Sequence, residues 1–183
     1  MTSLRDVTSA DQEKIRQWRN LPEVSKYMYT DHVISPEEHA AWFKRISGDP
    51  SCKYWIIVCD NEDVGVAWLF SIDRRNSRCY WGFYVASPNV RGKGVGSTVE
   101  YSVLRYVFDE LRLNKLCGEV LGFNQVVVDM HKSFGFAQEG YFRKHVFKGG
   151  TMQDIFCIGM LREDWEAKKP EIESRLRAKG LIA

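Results

Sequence analysis

The segment VRGKGVGSTVEYSVLRYVFDEL, residues 90–111, constrains the fold more than any other stretch of the chain. Gly92, Gly94 and Gly96 alternate with single residues, and Arg91 and Lys93 lie among them. Apolar side chains follow at Val95, Val99, Val103, Leu104, Val107, Phe108 and Leu111, the stripe of an amphipathic helix over 94–111. Just upstream, RCYWGFYVA (78–86) reads as a strand. A strand that turns on glycine into a helix aims free backbone N–H groups and the positive end of the helix dipole at one point, which makes an anion site. Glycine tolerates positive φ and lets a ligand approach the backbone closely. Two phosphate-binding patterns do not fit. The Walker pattern needs its lysine after the glycines, whereas Lys93 precedes two of them. The dinucleotide fingerprint G-x-G-x-x-G belongs on the first strand of a parallel sheet. Here the spacing is G-x-G-x-G, in mid-chain.

The elements before this turn are of another kind. Residues 2–7 read as a short strand, and Ser9 and Asp11 open a helix that runs to Arg19 and breaks at Asn20-Leu21-Pro22. SPEEHAAWFKRI (35–46) is a helix start, with Ser35 as N-cap, Pro36 at the first position and Glu38 at the third. KYWIIVCD (53–60), DVGVAWLFSID (63–73) and 78–86 form an antiparallel meander. After the helix come a strand, KLCGEVL (115–121), and a helix, 124–134, stopped by Gly135. A hairpin of 137–147 and 152–161 follows, then a charged helix in which Pro170 starts a second segment or a kink. This order predicts a mixed, mostly antiparallel α/β (α+β) sheet with helices on both faces. Its strand–helix–strand crossover, 80–86 to 115–121, is parallel and right-handed.

The 183 residues suffice for one domain with a core. With 26 basic and 24 acidic side chains, a net charge of +2, nothing in the whole-chain charge points to nucleic acid. Five scattered cysteines without CxxC spacing read as reduced thiols, and four histidines without ligand-like spacing give no metal site. No apolar run approaches a membrane span and the N-terminus has no apolar signal region, so the expectation is a cytoplasmic protein with no membrane partner.

The pattern R-x-x-G-x-G after the strand 78–86, with Asn124 following KLCGEVL and Gly135-Phe136 eleven residues beyond it, resembles the GNAT acetyltransferases over nearly the whole chain. That resemblance implies a single acyl-CoA N-acyltransferase domain over 1–183. Residues 1–48 would cover the acceptor, 53–136 would bind acetyl-CoA, 137–161 would form the terminal hairpin and 162–183 the last helix. It implies acetyl-CoA as co-substrate, with its pyrophosphate on Arg91, Gly92, Lys93, Gly94, Val95, Gly96 and Ser97. The pantetheine arm would lie along Phe83, Tyr84 and Val85 and touch Asn124. The family's usual tyrosine, seven residues after the asparagine, is His131 here. An imidazole titrates near neutrality and can protonate a leaving thiolate. His131 can equally serve only as packing against the cofactor sulfur. Glu119, on the strand beside the cofactor channel, is the candidate base for the attacking amine; the alternative is a surface or ion-paired carboxylate.

The acceptor region is WRNLPEVSKYMYTDHVISPEEHAAWFKRI (18–46). Arg19, Asn20, Met28, Tyr29, His39 and Trp42 are its candidate binding residues, with Asp154 from the hairpin. His39 and Trp42 share one helix face, where a histidine can also be a core residue. Asp154 can also be a turn or strand-edge carboxylate. Together with EVL.FN and DIFCIGML, this segment resembles the acetyltransferases of pseudaminic acid synthesis, which act on the 4-amino group of UDP-4-amino-4,6-dideoxy-N-acetyl-β-L-altrosamine. The implied partner is a small-molecule amine, a nucleotide-linked amino sugar. Its diphosphate would meet Arg74, Arg75 and Arg78, or Arg143, Lys144 and Lys148, and Tyr29, Trp42, Trp81 or Phe147 would stack on uracil or the sugar's methyl face. Two alternatives stay open: an acetyltransferase of ribosomal-protein N-termini, which the same W-R-N…M…H-x-x-W framework resembles, and a non-catalytic acyl-CoA-binding module. The C-terminal helix packs on the core or on a second subunit of a homodimer.

Overall fold

The computed structural model describes residues 1–90 and 92–183; Arg91 lies outside the described residues. Among the described residues, seven strands form one sheet. They are β1 (Thr2–Asp6), β2 (Lys53–Cys59), β3 (Glu62–Asp73), β4 (Arg78–Val85), β5 (Lys115–Leu121), β6 (Ala137–Lys148) and β7 (Thr151–Leu161), in the order β1-β2-β3-β4-β5-β7-β6. All neighbours are antiparallel except β4 and β5. The meander and the parallel crossover stand as the sequence predicts.

Strand alternation splits the core in two. On one face, Ile56, Val66 and Tyr84 meet Ile15 of α1 (Gln12–Arg19), Val24 of α2 (Pro22–Ser25) and Phe43 of α3 (Pro36–Ile46). On the other, Ile57, Leu69, Leu116 and Ile158 meet three helices. These are α4 (Val95–Arg105) through Val99, Val103 and Leu104, α5 (Gln125–Phe134) through Val128 and Phe134, and α6 (Arg162–Ala178) through Trp165, Ile172 and Leu176. The buried face of α6 is therefore spent on its own core. Among the described residues no helix is long and apolar enough to cross a membrane. Nor is any group of three or more His, Cys, Asp or Glu side chains there placed to hold a metal ion.

Three local expectations change. The helix after the glycine turn is α-helical only to Arg105; Tyr106–Glu110 forms a wider turn in which the Leu111 N–H donates to the Tyr106 carbonyl, five residues back, at 2.8 Å. The extra residue lets adjacent Val107 and Phe108 both stay buried. Helix α6 continues through Pro170. Pro170 and Glu166 are exposed, so the carbonyl that loses its partner is open to water. The first helix begins later than expected: Ser9–Asp11 forms one 3-10 turn with Thr8 as its N-cap, and Asp11 is the N-cap of α1.

That cap leads into an ion-pair cluster. The Asp11 carboxylate accepts from the Thr8 N–H at 2.9 Å and the Thr8 hydroxyl at 3.0 Å, and from the Arg5 guanidinium at 2.7 and 2.9 Å. Arg5, then Thr8, hold the Asp11 carboxyl well below the usual carboxylate range. Its folded-state pKa is depressed, so its contribution is complete above the unfolded value of about 4 and is lost as pH falls through the depressed value. Asp11→Asn is expected to cost about 2 kcal/mol at neutral pH. In urea melts across pH, the gap to wild type should close below about pH 4. A gap that stays constant with pH sinks this account.

Candidate active site

Strands β4 and β5 pair only at Arg78↔Lys115, Cys79↔Leu116 and Tyr80↔Cys117. Beyond these, β4 stays bonded to β3 and β5 to β7, so the facing edges diverge and leave backbone N–H and C=O groups without a neighbouring strand. The gap opens into a cavity of about 790 Å³. Phe83, Tyr84 and Val85 line it from β4, Glu119 from β5, and Asn124 and His131 from the start and middle of α5. An extended amide-containing arm fits such a pair of edges as an added strand.

The glycine turn stands beside this gap. Gly92 and Gly94 have φ of +78° and +74°, and Gly94 is the N-cap of α4. The first-turn N–H groups of Val95, Gly96 and Ser97 precede any helical acceptor. A Cβ at Gly96 would lie 3.3 Å from the Met130 sulfur and 3.6 Å from the Phe83 ring, so the turn, β4 and α5 meet there. At Gly94 a Cβ would fall 2.5 Å from the Leu181 side chain, which the C-terminal tail folds back to place. Lys93 Nζ lies 3.4 Å from Asp60. Positive-φ glycines, orphan helix donors and unpaired strand edges together suit a diphosphate carrying an amide arm.

Two acid–base groups face the cavity. His131 is 5% exposed and its ring packs against both Trp81 and Phe136, with centroids at 5.2 and 5.3 Å. Its Nδ1 is 2.8 Å from Oε1 of Glu100, a carboxyl that is 0% exposed. Burial pushes the Glu100 carboxyl up, against the pull of His131. Glu119, across the gap, accepts from the Tyr29 hydroxyl at 2.6 Å. Burial, then this bond, push the Tyr29 phenol well above its ordinary value, so it stays a neutral donor. The Asn124 side chain makes no capping bond, which leaves its amide to the cavity.

The segment after α2 is tied down over this opening. The Asn20 amide brackets Ile34, accepting from its N–H at 2.8 Å and donating to its carbonyl at 3.0 Å. Asp31 accepts from Lys148 Nζ at 3.2 Å and from the Gly149 N–H at 2.9 Å, at the tip of the β6–β7 hairpin. Arg19 reaches into the cavity wall, where Nη1 lies 3.2 Å from the Met28 sulfur and Nη2 3.2 Å from the Thr30 hydroxyl. Among the described residues no carboxylate pairs with it, and its Nε is buried without a partner. Burial lowers its pKa, the mark of a charge that the protein leaves uncompensated.

The structure thus brings Arg19, Met28, Tyr29, Phe83, Tyr84, Val85, Glu119, Asn124 and His131 to one cavity. It does not bring Asn20, His39, Trp42 or Asp154 there. Asn20 is the bracket just described. His39 is 3% exposed on the core face of α3, 4.8 Å from Trp42, and Trp42 packs edge-on to Tyr54 at 5.3 Å. Asp154 accepts from the Tyr141 hydroxyl and the Lys144 N–H, and so shapes the irregular stretch of β6. Arg74, Arg75 and Arg78 lie at the paired end of β4, away from the opening, and Arg74 donates to the Leu111 carbonyl. Lys148 is occupied by Asp31. Sequence reasoning missed Glu100. Its signal is a carboxylate next to Val99 and three residues before Val103, inside an apolar stripe.

Residues 2–137 match the family described as acetyltransferase (GNAT) domain. A Bacillus subtilis (strain 168) protein, the SPbeta prophage-derived uncharacterized N-acetyltransferase YokL, is 36% identical over 115 residues, 62% of this chain and 64% of its own length. Acetyltransferase PseH of Campylobacter jejuni subsp. jejuni serotype O:23/36 (strain 81-176) is 29% identical over 136 residues, 74% of this chain and 83% of its own. The spermidine N-acetyltransferase of Vibrio cholerae, solved with CoA and spermine, superposes with a TM-score of 0.84 at 21% identity, covering 90% of this chain and 98% of that one.

Proposed function

The chain belongs to the GNAT acetyltransferase family, and from that premise we propose that it transfers acetyl from acetyl-CoA to the 4-amino group of a UDP-linked amino-dideoxy sugar, a step of pseudaminic acid synthesis. The resemblance to the acetyltransferases of that pathway, and the match to PseH, support this choice. The observation that carries it is Arg19. A half-buried guanidinium with a buried, unpartnered Nε and no carboxylate partner among the described residues favours an anionic ligand and disfavours a polycation. That argues for a diphosphate-bearing acceptor over a polyamine such as spermidine.

In this reading the turn from Gly92 to Ser97 holds the donor's pyrophosphate, the edge Phe83–Val85 pairs with its pantetheine arm, and Asn124 fixes an amide of that arm. Arg91 and Lys93 add positive charge near the turn. Glu119 removes a proton from the acceptor amine, through water, because only a neutral amine attacks a thioester. Backbone N–H groups of β4 stabilise the oxygen on which negative charge develops. His131 donates a proton to the departing thiolate. Met28 and Tyr29 form the acceptor side of the cavity wall.

The test is an acetyl-transfer assay on the UDP-4-amino sugar beside spermidine and peptides with ribosomal-protein N-termini. Transfer to the sugar alone is the expected outcome; preference for either other amine sinks the assignment. In the same assay Arg19→Met should raise KM for the sugar about 10- to 100-fold, the loss of one or two charge-assisted contacts. The KM for acetyl-CoA should not move. An unchanged KM for the sugar removes Arg19 from the acceptor site.

A further inference from the structure

The paired groups at the floor of the cavity, Glu100 and His131, invite a closer account than either alone. Among the described residues the Glu100 carboxyl has one hydrogen-bond partner, His131 Nδ1 at 2.8 Å, and its other oxygen, Oε2, is buried with none. The pair sits among Trp81 and Phe136. Few charged groups reach it. Arg175 of α6 exerts a positive field on Glu100 while bonded to the Ser133 carbonyl and lying over Phe134. Glu119 of β5 lines the same cavity, tied to Tyr29. On α5 itself, Asp129 and Lys132 are exposed.

In so apolar a place the pair is most stable with no net charge. Two neutral arrangements exist. A protonated Glu100 can donate to Nδ1 of a neutral imidazole, or ionised Glu100 can accept from the imidazolium. In both, Nε2 carries a hydrogen, because Nδ1 is occupied by the carboxyl. The proton shared between the two side chains changes place without changing what the cavity sees, an N–H donor at Nε2. Only loss of a proton from the pair as a whole bares Nε2, and that leaves an anion in a buried site.

We propose that Glu100 is a positioning residue that makes the pair, and not His131 alone, the acid of this reaction: it fixes the ring with Nε2–H towards the cavity and keeps that proton in place as pH rises. The inference rests on the reading of His131 as donor to the thiolate. In the step itself the amine nitrogen bonds to the acetyl carbon, the C–S bond breaks, and its electron pair goes to sulfur. The Nε2 proton passes to that sulfur. The pair is left as Glu100 carboxylate and an imidazole with hydrogen on Nδ1, and it regains a proton from water. The proton released by the amine leaves by way of Glu119.

The test combines two readouts on Glu100→Gln, with Glu100→Asp as the conservative control. One is the ¹⁵N NMR signature of the His131 ring in the ligand-free protein across pH. The other is kcat against pH with whichever amine is acetylated. Glutamine cannot share a proton, so the ring's titration and the basic limb of kcat should both move to lower pH, together, by about one unit or more. Aspartate should restore part of the shift. In the wild type, Nε2 should be protonated at the pH of highest activity. A bare Nε2 there overturns the proposal, and this reading needs no variant. A basic limb that stays put in Glu100→Gln while the ring's titration moves overturns it too. Acetylation of some amine other than the UDP-sugar, with the shift intact, removes the acceptor assignment and leaves the pair. Transfer to the UDP-sugar with an unmoved limb removes the pair and leaves the acceptor.

Discussion

Replacing His131 with phenylalanine is expected to lower kcat about 10²- to 10⁴-fold, the usual worth of a positioned general acid. Affinity for acetyl-CoA, measured by calorimetry, should change little. Phenylalanine suits the aromatic neighbours, Trp81 and Phe136. It does not suit Glu100, which loses its bond to His131 in a fully buried place. The variant should therefore also lose about 3 kcal/mol of stability, and a fall in activity alone is open to two explanations. The double variant Glu100→Met with His131→Phe separates them. It replaces both partners with apolar groups of similar shape, and such exchanges are often neutral or stabilising. Its melting temperature should return towards wild type while kcat stays low. Activity that returns with stability would make the pair a packing element and nothing more.

The second large effect is expected at Gly94. Its φ of +74° is costly for any β-branched residue, and a Cβ there would strike Leu181 at 2.5 Å. Gly94→Val strains the backbone of the turn and must push the Leu181 side chain aside. A turn that relaxes this strain misdirects the N–H groups of Val95, Gly96 and Ser97, and acetyl-CoA binding should weaken on the order of 100-fold. Gly92→Ala provides the contrast. Its φ is also positive, at +78°, but nothing lies within 4 Å of the added carbon. It carries backbone strain without the collision and should weaken binding far less. Equal losses in the two variants would show that strain, and not the tail against the turn, sets the effect.

What the sequence announced and what it withheld follow from the range of the interactions. The glycine turn, the stripe from Val95 to Phe108 and the stop at Gly135 are local statements, and each stands in the structure. The open edge of β4 is nearly local, since it needs only a crossover too wide for full pairing. The loop over the cavity is not local. Its shape depends on Asn20 meeting Ile34 and on Asp31 meeting Lys148 and Gly149, more than a hundred residues away. For that reason Asn20 reads from sequence as a candidate ligand, while in the structure its amide is engaged by Ile34. His39 and Trp42 were rightly placed on one helix face, but helical spacing does not say whether that face meets a core or a cavity. Glu100 sat in plain view within the apolar stripe. Without His131 beside it, thirty-one residues on, nothing in the sequence sets it apart.

The short ladder between β4 and β5 also divides the molecule. Three residue pairings join the meander β1–β4 to the ladder β5–β7–β6. Elsewhere the halves are held by helix packing and by side-chain ties such as Tyr29 to Glu119. Such a sheet has a parting line in its backbone ladder, where few backbone bonds cross while one apolar core runs beneath both halves. A ligand arm that hydrogen-bonds to both edges would restore the missing strand and add backbone bonds across that line. The feature that admits the donor thereby also makes the donor part of the folded architecture while it is bound.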